Sequence, residues 1–108
     1  MSARLGISIP TYKRPEQLLE TVRSVAAAGG REFEIPVFVA DDSLDETNAA
    51  VLATLRSEYP FLRVFRNERN LGIDGNILHA VDVNDCRHAW LLGEDDRLVP
   101  GAIARVLG

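Results

Sequence analysis

Short apolar runs alternate with longer amphipathic segments along the chain, and this alternation restricts the fold more than any other feature. Four apolar runs predict strands, at residues 5–9, 35–40, 62–66 and 88–92. Apolar residues at helical spacing predict a helix that begins at Pro15 and is ended by Gly29 and Gly30, and further helices near residues 46–58, 74–83 and 100–107. A β–α–β–α succession predicts an α/β fold with a mainly parallel sheet.

Three of the predicted helices carry an apolar stripe that we expect to face the sheet. The first stripe is Leu18, Leu19, Val22, Val25 and Ala26, the second is Val51, Leu52 and Leu55, and the third is Ile77, Leu78 and Val81. Either Ser43 or Asp45 is expected to cap the second helix.

The composition is that of one ordinary globular domain, so residues 1–108 are treated as a single domain. A net charge of −4 without a basic run argues against a nucleic-acid partner. The single Cys86 cannot form an internal disulfide, no signal peptide follows Met1, and no apolar run approaches the ~20 residues of a membrane span. We therefore expect a cytoplasmic protein, with attachment to the inner face of the membrane left open.

Polar residues follow each predicted strand at its C-terminal end. They are Thr11 to Arg14, Asp41 with Asp42, Asn67 to Asn70, and Glu94 to Asp96. The carboxyl ends of parallel strands lie at one edge of the sheet, and ligands of open α/β sheets bind there. The four clusters therefore predict one binding site at that edge.

The fourth cluster is the most informative, because the adjacent carboxylates of Glu94, Asp95 and Asp96 repel one another unless a cation lies among them. Residues 88–92 before it predict a buried strand that opens into this polar site. Mg²⁺ and Mn²⁺ prefer oxygen ligands, and Mg²⁺ is usually shared with substrate phosphates. The hypothesis is a metal-dependent site for a phosphorylated ligand, and the alternative is a solvated acidic turn before Pro100.

Four segments together make the chain resemble the family 2 glycosyltransferases, which have the GT-A fold. They are residues 7–14 (ISIPTYKR), 39–45 (VADDSLD), 67–76 (NERNLGIDGN) and 91–102 (LLGEDDRLVPGA), in the order and spacing of the family. The resemblance implies a three-layer, Rossmann-like nucleotide-diphospho-sugar transferase fold. It also implies that residues 1–108 are the nucleotide-sugar-binding domain and lack the acceptor-binding half.

The resemblance also implies roles for single residues. Family members transfer a sugar from a nucleotide diphosphate with a divalent cation, Mn²⁺ or Mg²⁺, on the diphosphate. Asp42 corresponds to the family's contact to the base, and Asp95 to its main metal contact. Gly93 replaces the first Asp of the family's D-x-D motif, which leaves Glu94 and Asp96 as further metal candidates. The implied nucleotide-sugar-binding set is Pro10, Thr11, Tyr12, Arg14, Asp41, Asp42, Asn70, Gly72, Asn76, Glu94 and Asp95.

The chemistry of a carboxylate limits which base the nucleotide-sugar donor can carry. Asp42 can accept the N3–H of uracil or thymine, whereas neutral cytosine has an acceptor at N3, so a UDP- or dTDP-sugar is favoured. Arg14 or Arg69 is expected to add charge-assisted bonds to phosphate. Structural roles stay open for several residues: a helix cap for Asp42, a hydrogen-bond acceptor for Asp41, and turn residues for Asn70, Gly72 and Asn76.

Two functions remain open at this point. The first is a glycosyltransferase, or its donor-binding domain, that inverts the sugar and passes it to a glycan or lipid-linked acceptor. The second is a non-catalytic nucleotide-sugar-binding module, which Gly93 and the lack of a nominated catalytic base favour. An open sheet edge also leaves room for a homo-oligomer.

Overall fold

The strands form one four-stranded parallel sheet in a computed structural model that describes residues 4–108. They are β1 (Leu5–Thr11), β2 (Val37–Asp41), β3 (Leu62–Arg66) and β4 (His88–Leu91), in the spatial order β3-β2-β1-β4. Every pairing is parallel, which confirms the predicted α/β fold. The register pairs Thr11 with Asp41 and Asp41 with Arg66, so the carboxyl ends of β1, β2 and β3 lie side by side.

Four α-helices occur in the same residues: α1 (Pro15–Val25), α2 (Ala49–Glu58), α3 (Gly72–Asp82) and α4 (Ala102–Leu107). α1 begins at Pro15 as predicted, because a proline at the first helical position leaves no N–H unpaired. It continues into a π-helical turn, Ala26–Gly30, in which Gly29 takes a φ of 121° that L side chains rarely adopt. The chain leaves the helix there and enters β2.

The start of α2 differs from the prediction. The helix begins at Ala49, and no side chain caps it. Ser43 instead accepts a hydrogen bond from the Lys13 amide at 2.9 Å, and Asp45 accepts one from the Thr47 amide at 3.0 Å. Ser43 is therefore bonded to the loop after β1, and Asp45 is bonded within the loop between β2 and α2.

The main core lies between one face of the sheet and α1, α2 and α4. It contains Ile7, Ile9, Val37 and Val39 from the strands, and Leu18, Val22, Leu52, Leu55 and Ile103 from the helices. These contacts confirm the inward faces predicted for the first two helices. α3 packs against β1 and β2 outside this core, which completes the three layers.

The inward face predicted for α3 was wrong. Leu78 is 71% exposed and Val81 is 40% exposed, whereas Asn76 and Ala80 are buried. The Asn76 amide donates to the carbonyl oxygen of Ala40 at 3.0 Å, at the end of β2. A buried carbonyl without a partner costs ~1–3 kcal/mol, so the helix turns Asn76 inward and leaves Leu78 in solvent.

The expectation that residues 88–92 form a buried strand was wrong for three of the five residues. β4 is an edge strand of the described sheet, and His88, Ala89 and Leu91 are exposed on it. Trp90 packs against the core, and Leu92, which directly follows β4, is buried in it. No helix between residues 4 and 108 is long and apolar enough to cross a lipid bilayer. Residues 1–3, which we included in the single predicted domain and in the search for a signal peptide, lie outside the described range.

Gly6 in β1 provides a test of how closely this strand packs against the loop between α3 and β4. A Cβ atom at this position would lie 2.6 Å from Cys86 Sγ and 2.7 Å from Asn84 Oδ1. We expect Gly6→Ala to lower the free energy of unfolding by about 2 kcal/mol, the usual cost of overpacking, in a urea titration.

Gly75→Ala is the control for Gly6→Ala. It adds the same methyl group inside α3, where a Cβ atom would contact only Leu71 Cβ at 3.1 Å and where alanine is the better helix former. We expect it to change the free energy of unfolding by less than about 1 kcal/mol. Equal losses in the two variants would contradict the tight packing at Gly6.

Candidate functional site

A cleft of about 490 Å³ opens at the carboxyl ends of β1, β2 and β4 and at the start of α3. This volume lies in the usual range of small-ligand sites, ~300–1,000 Å³. Every residue of the predicted nucleotide-sugar-binding set lines it except Arg14 and Asp41. Its lining is Pro10, Thr11, Tyr12, Asp42, Asn70, Gly72, Ile73, Asn76, Ile77, Gly93, Glu94 and Asp95. The polar clusters that the sequence places at one edge thus meet in one cavity.

Asp42 is the centre of the hydrogen bonding in this cleft. Its Oδ1 accepts the Leu71 amide at 2.8 Å and the Asn67 side-chain amide at 2.8 Å, and its Oδ2 accepts the Gly72 amide at 3.1 Å. Asp42 therefore satisfies the first backbone amides of α3 and does not cap α2. A carboxylate has about four acceptor positions, so one on Oδ2 is left for a ligand.

Three asparagines join Asp42 to the strands around it. Asn67 donates to both Asp42 Oδ1 and Asn76 Oδ1, and Asn76 in turn bonds to the carbonyl oxygen of Ala40. Asn70 accepts the Gly72 amide at 3.0 Å. Gly72 takes a φ of 75°, as its predicted turn role requires. Asn70, Gly72 and Asn76 thus have structural roles in this site and also line the cleft.

Glu94 lies on the side of the cleft opposite Asp42 and binds residues at the end of β1 and in the loop after it. Its Oε2 accepts the Thr11 hydroxyl at 2.5 Å and the Tyr12 amide at 3.2 Å, and its Oε1 lies 3.5 Å from Arg14 Nε. Arg14 does not line the cleft itself but reaches its rim through this ion pair. The predicted cluster at residues 11–14 is therefore bonded directly to the acidic turn at residues 94–96.

The three carboxylates proposed as metal ligands do not converge. Among residues 4–108 no three Asp, Glu, His or Cys side chains form a group that could hold a metal ion. Glu94 is bound to the β1 loop, and Asp96 Oδ2 accepts the Gly93 amide at 2.9 Å. Asp95 lines the cleft and has no side-chain hydrogen bond or ion pair in the described chain. Asp95 is thus the carboxylate available to a cation.

A buried polar network lies beneath the cleft and was not predicted from the sequence. Asn48 is fully buried, and its amide donates to Asp41 Oδ1 at 3.2 Å, Ser43 Oγ at 3.2 Å and Thr11 Oγ1 at 3.4 Å. Asp41 is buried as well, with Arg66 Nε 3.7 Å from its Oδ2. Asp41 therefore acts as a structural acceptor under the site and is not exposed to the cleft.

The loops after β1 and β2 also meet at the surface. Lys13 Nζ lies 3.3 Å from Asp45 Oδ2 and 5.5 Å from the centre of the Tyr12 ring. Hydrogen bonds from Thr47, with a smaller contribution from Lys13, lower the pKa of Asp45 to about 2. The pair is exposed and contributes little to stability, but it keeps Lys13 beside Tyr12. The ring of Tyr12 remains 47% exposed at the cleft.

Two apolar residues of the cleft, Ile73 and Ile77, were not predicted to line it. Ile73 and Ile77 lie one helical turn apart on α3 and line the cleft, although Ile77 was predicted to face the sheet. The only feature of the sequence that could have indicated their place in the cleft is their i, i+4 spacing directly after the Asn67–Gly72 loop. They form an apolar wall opposite the polar edge of the strands.

The comparisons with known proteins agree with this geometry. The family description "Glycosyl transferase family 2" matches residues 7–108, which include every cluster around the cleft. This chain belongs to glycosyl transferase family 2. The predicted resemblance is therefore confirmed, while the roles assigned to single residues stay predictions.

Comparison with individual proteins shows what share of a longer protein this chain matches. Abequosyltransferase RfbV of Salmonella typhimurium is 29% identical over 101 residues, which cover 93% of this chain and 30% of that protein. S. aureus TarS, solved with UDP-GlcNAc, superposes with a TM-score of 0.75 at 22% identity over 99% of this chain and 30% of TarS. The mannosyltransferase PcManGT of Pyrobaculum calidifontis, solved with GDP-Man and Mn²⁺, gives a TM-score of 0.78 at 13% identity, over 94% of this chain and 30% of its own. These likenesses confirm the GT-A fold.

Proposed function

We propose that this chain is the donor-binding part of a glycosyltransferase and that its cleft holds a UDP- or dTDP-sugar. The observation that carries the proposal is the state of Asp42. This carboxylate faces the cleft, is held rigidly by three donors, and has one acceptor position left on Oδ2. It is therefore a fixed acceptor for a single N–H of a base.

A single fixed acceptor distinguishes the common nucleobases. Uracil and thymine present one imino N–H between two carbonyl oxygens, whereas adenine and neutral cytosine present a ring acceptor there. Guanine presents two adjacent N–H groups, which suit a carboxylate with both oxygens available, and Asp42 Oδ1 is already used. The exposed ring of Tyr12 and the wall of Ile73 and Ile77 offer apolar surface for the faces of the base.

The residues present also fit a divalent cation, with Asp95 as its protein ligand. Mg²⁺ is usually bound by one or two carboxylates and completes its coordination with water and substrate phosphates, so a single free carboxylate beside a phosphate site is sufficient. A bound cation would offset the charge that grows on the departing diphosphate. In support of Mn²⁺, the solved PcManGT structure contains this ion together with GDP-Man. In the described arrangement Glu94 and Asp96 are engaged by other groups.

The test is a thermal-shift panel on the chain with UDP, dTDP, GDP, CDP and ADP, each with Mn²⁺ and with a chelator. We expect UDP and dTDP with Mn²⁺ to raise the melting temperature most, because only they match the single free acceptor of Asp42. CDP and ADP should shift it least. A larger shift with GDP or CDP than with UDP would contradict the base assignment.

Sugar transfer itself, inversion, and a glycan or lipid-linked acceptor are part of the same proposal. This chain spans about 30% of the length of its curated relatives, and no catalytic base is nominated in it. A non-catalytic nucleotide-sugar-binding module is the second candidate, favoured by Gly93 in place of the first Asp of the motif.

One assay distinguishes a glycosyltransferase from a non-catalytic module. It measures the release of labelled sugar from the donor to an acceptor or to water, in a protein that contains this chain. A cytoplasmic location, attachment to the inner face of the membrane, and a homo-oligomer remain predictions.

A further inference from the structure

Three groups in residues 11–14 (the β1 loop), which are two hydrogen-bond donors and one guanidinium in an ion pair, converge on one carboxylate. They are the Thr11 hydroxyl and the Tyr12 amide on Glu94 Oε2, at 2.5 and 3.2 Å, and the Arg14 guanidinium 3.5 Å from Oε1. A hydroxyl, a backbone N–H and a guanidinium around one anionic group are the partners that proteins use to bind phosphate and carboxylate oxygens. The β1 loop is thus an anion-binding arrangement that already contains an anion from its own chain.

The backbone of Glu94 is held independently of its side chain. The Thr21 hydroxyl of α1 donates to the carbonyl oxygen of Glu94, and Arg97 Nη1 lies 3.3 Å from the same oxygen. Arg97 is in turn paired with Glu20 at 2.7 Å. Rotation about the side-chain bonds of Glu94 can therefore release the three donors while the acidic turn stays in place.

We propose that the Thr11 hydroxyl, the Tyr12 amide and Arg14 form a subsite for a phosphoryl group of the donor, which the Glu94 carboxylate occupies until the donor displaces it. This inference rests on the proposed function. Thr11, Tyr12 and Glu94 line the same cleft as Asp95, so a diphosphate beside Asp95 lies within reach of the three donors. Two anions cannot share these donors, so Glu94 acts as an internal competitor of the phosphoryl group.

The experiment measures binding of inorganic pyrophosphate by calorimetry, with a chelator present, to the wild-type chain and to Glu94→Ala. We expect the variant to bind pyrophosphate about tenfold more tightly, since the internal competitor is gone. Uridine affinity should change less than pyrophosphate affinity. Asp74→Asn is the matched control, because it removes the same charge at an exposed position in the first turn of α3. It should leave pyrophosphate affinity within about twofold of wild type.

A second variant tests whether the tighter pyrophosphate binding arises at the β1 loop. Glu94→Ala combined with Arg14→Gln should lose the tighter binding, because one of the three donors is removed. Should Glu94→Ala fail to fold by circular dichroism, Glu94→Gln replaces it, with an expected gain of about threefold because the amide keeps an acceptor but loses the charge.

Three results would overturn the proposal: unchanged pyrophosphate affinity in a folded Glu94 variant, an equal gain in Asp74→Asn, or a gain for uridine instead of pyrophosphate. Failure of the proposed function would be seen in a different measurement, the nucleotide preference of the wild-type chain. In that case the wild-type chain shows no preference for UDP over the other nucleotides with Mn²⁺, whatever the Glu94 variants do with pyrophosphate.

Discussion

Asp42→Ala is expected to lower the free energy of unfolding by ~4 kcal/mol, the largest effect of any single change in the cleft. The substitution leaves the Leu71 amide without its acceptor, and it removes one of two acceptors from the Gly72 amide and from the Asn67 side chain. A buried donor that loses its partner costs ~1–3 kcal/mol, so one complete loss and two partial losses together account for the expected change. Unfolding in urea followed by circular dichroism measures the change.

Two further variants separate this explanation from a general effect of charge. Asp42→Asn keeps the shape but turns an N–H₂ group toward backbone amides, so we expect a loss of ~3 kcal/mol. Asp74→Ala removes an exposed carboxylate from the first turn of α3 and should cost less than ~1 kcal/mol, the usual size of a helix-dipole contribution. A loss below 1 kcal/mol for Asp42→Ala would show that Asp42 does not organise α3.

The stability of Asp42→Ala also determines how its ligand binding is to be interpreted. We expect the variant to weaken binding of uridine compounds more than binding of pyrophosphate, provided that both are measured at a temperature where the protein is folded. Without that condition, loss of α3 would weaken both ligands and imitate a general binding defect. Equal weakening in a folded variant would remove the base-reading role.

Asp95→Asn is expected to abolish the part of UDP stabilisation that depends on Mn²⁺. A ligand at one hundred times its Kd stabilises a protein by ~2.7 kcal/mol. The Mn²⁺-dependent part of this stabilisation is expected to be lost when the cation loses its protein ligand. The fold should be unaffected, because the Asp95 side chain has no hydrogen bond or ion pair in the described chain. The comparison is the melting temperature with UDP, with and without Mn²⁺, in the variant and in wild type.

Asp96→Asn is the control for Asp95→Asn, because it makes the same chemical change at the neighbouring position. Asp96 Oδ2 faces the Gly93 amide, and Asp96 does not line the cleft, so this variant should retain most of the Mn²⁺-dependent shift. An unchanged shift in Asp95→Asn, or an equal loss in both variants, would contradict Asp95 as the metal ligand.

Much of the site follows from position along the strands. Residues directly after a parallel strand must lie at its carboxyl edge, which explains why Thr11, Asp42 and Asp95 were predicted into one cavity and are found there. The partners of these residues were beyond prediction. Asp42 is satisfied by amides at positions 71 and 72, and a bond across such a distance in sequence depends on how the loop before α3 returns to β2.

The errors have a common cause. Leu78 and Val81 were predicted inward from apolar spacing, but α3 is oriented by Asn76, whose amide satisfies strand carbonyls that would otherwise be buried without a partner. Asn48 was included in the helix predicted near residues 46–58, whereas it precedes α2, and its burial depends on the packing of the loop before α2 over β1 and β2. In both cases the pairing of buried polar groups decided the placement, and this pairing is not visible in an apolar pattern.

The amino-acid sequence by itself determined the α/β fold, the order of strands and helices, and the edge of the sheet at which the site forms. Its information is periodic and local, and apolar periodicity with strand polarity is sufficient for those properties. Tertiary structure alone decided which oxygen is left to a ligand: Asp42 keeps one acceptor position, Glu94 is bound by the β1 loop, and Asp95 stays open. Adjacent carboxylates look alike in a sequence, and only the donors that the folded chain brings near each of them make them different.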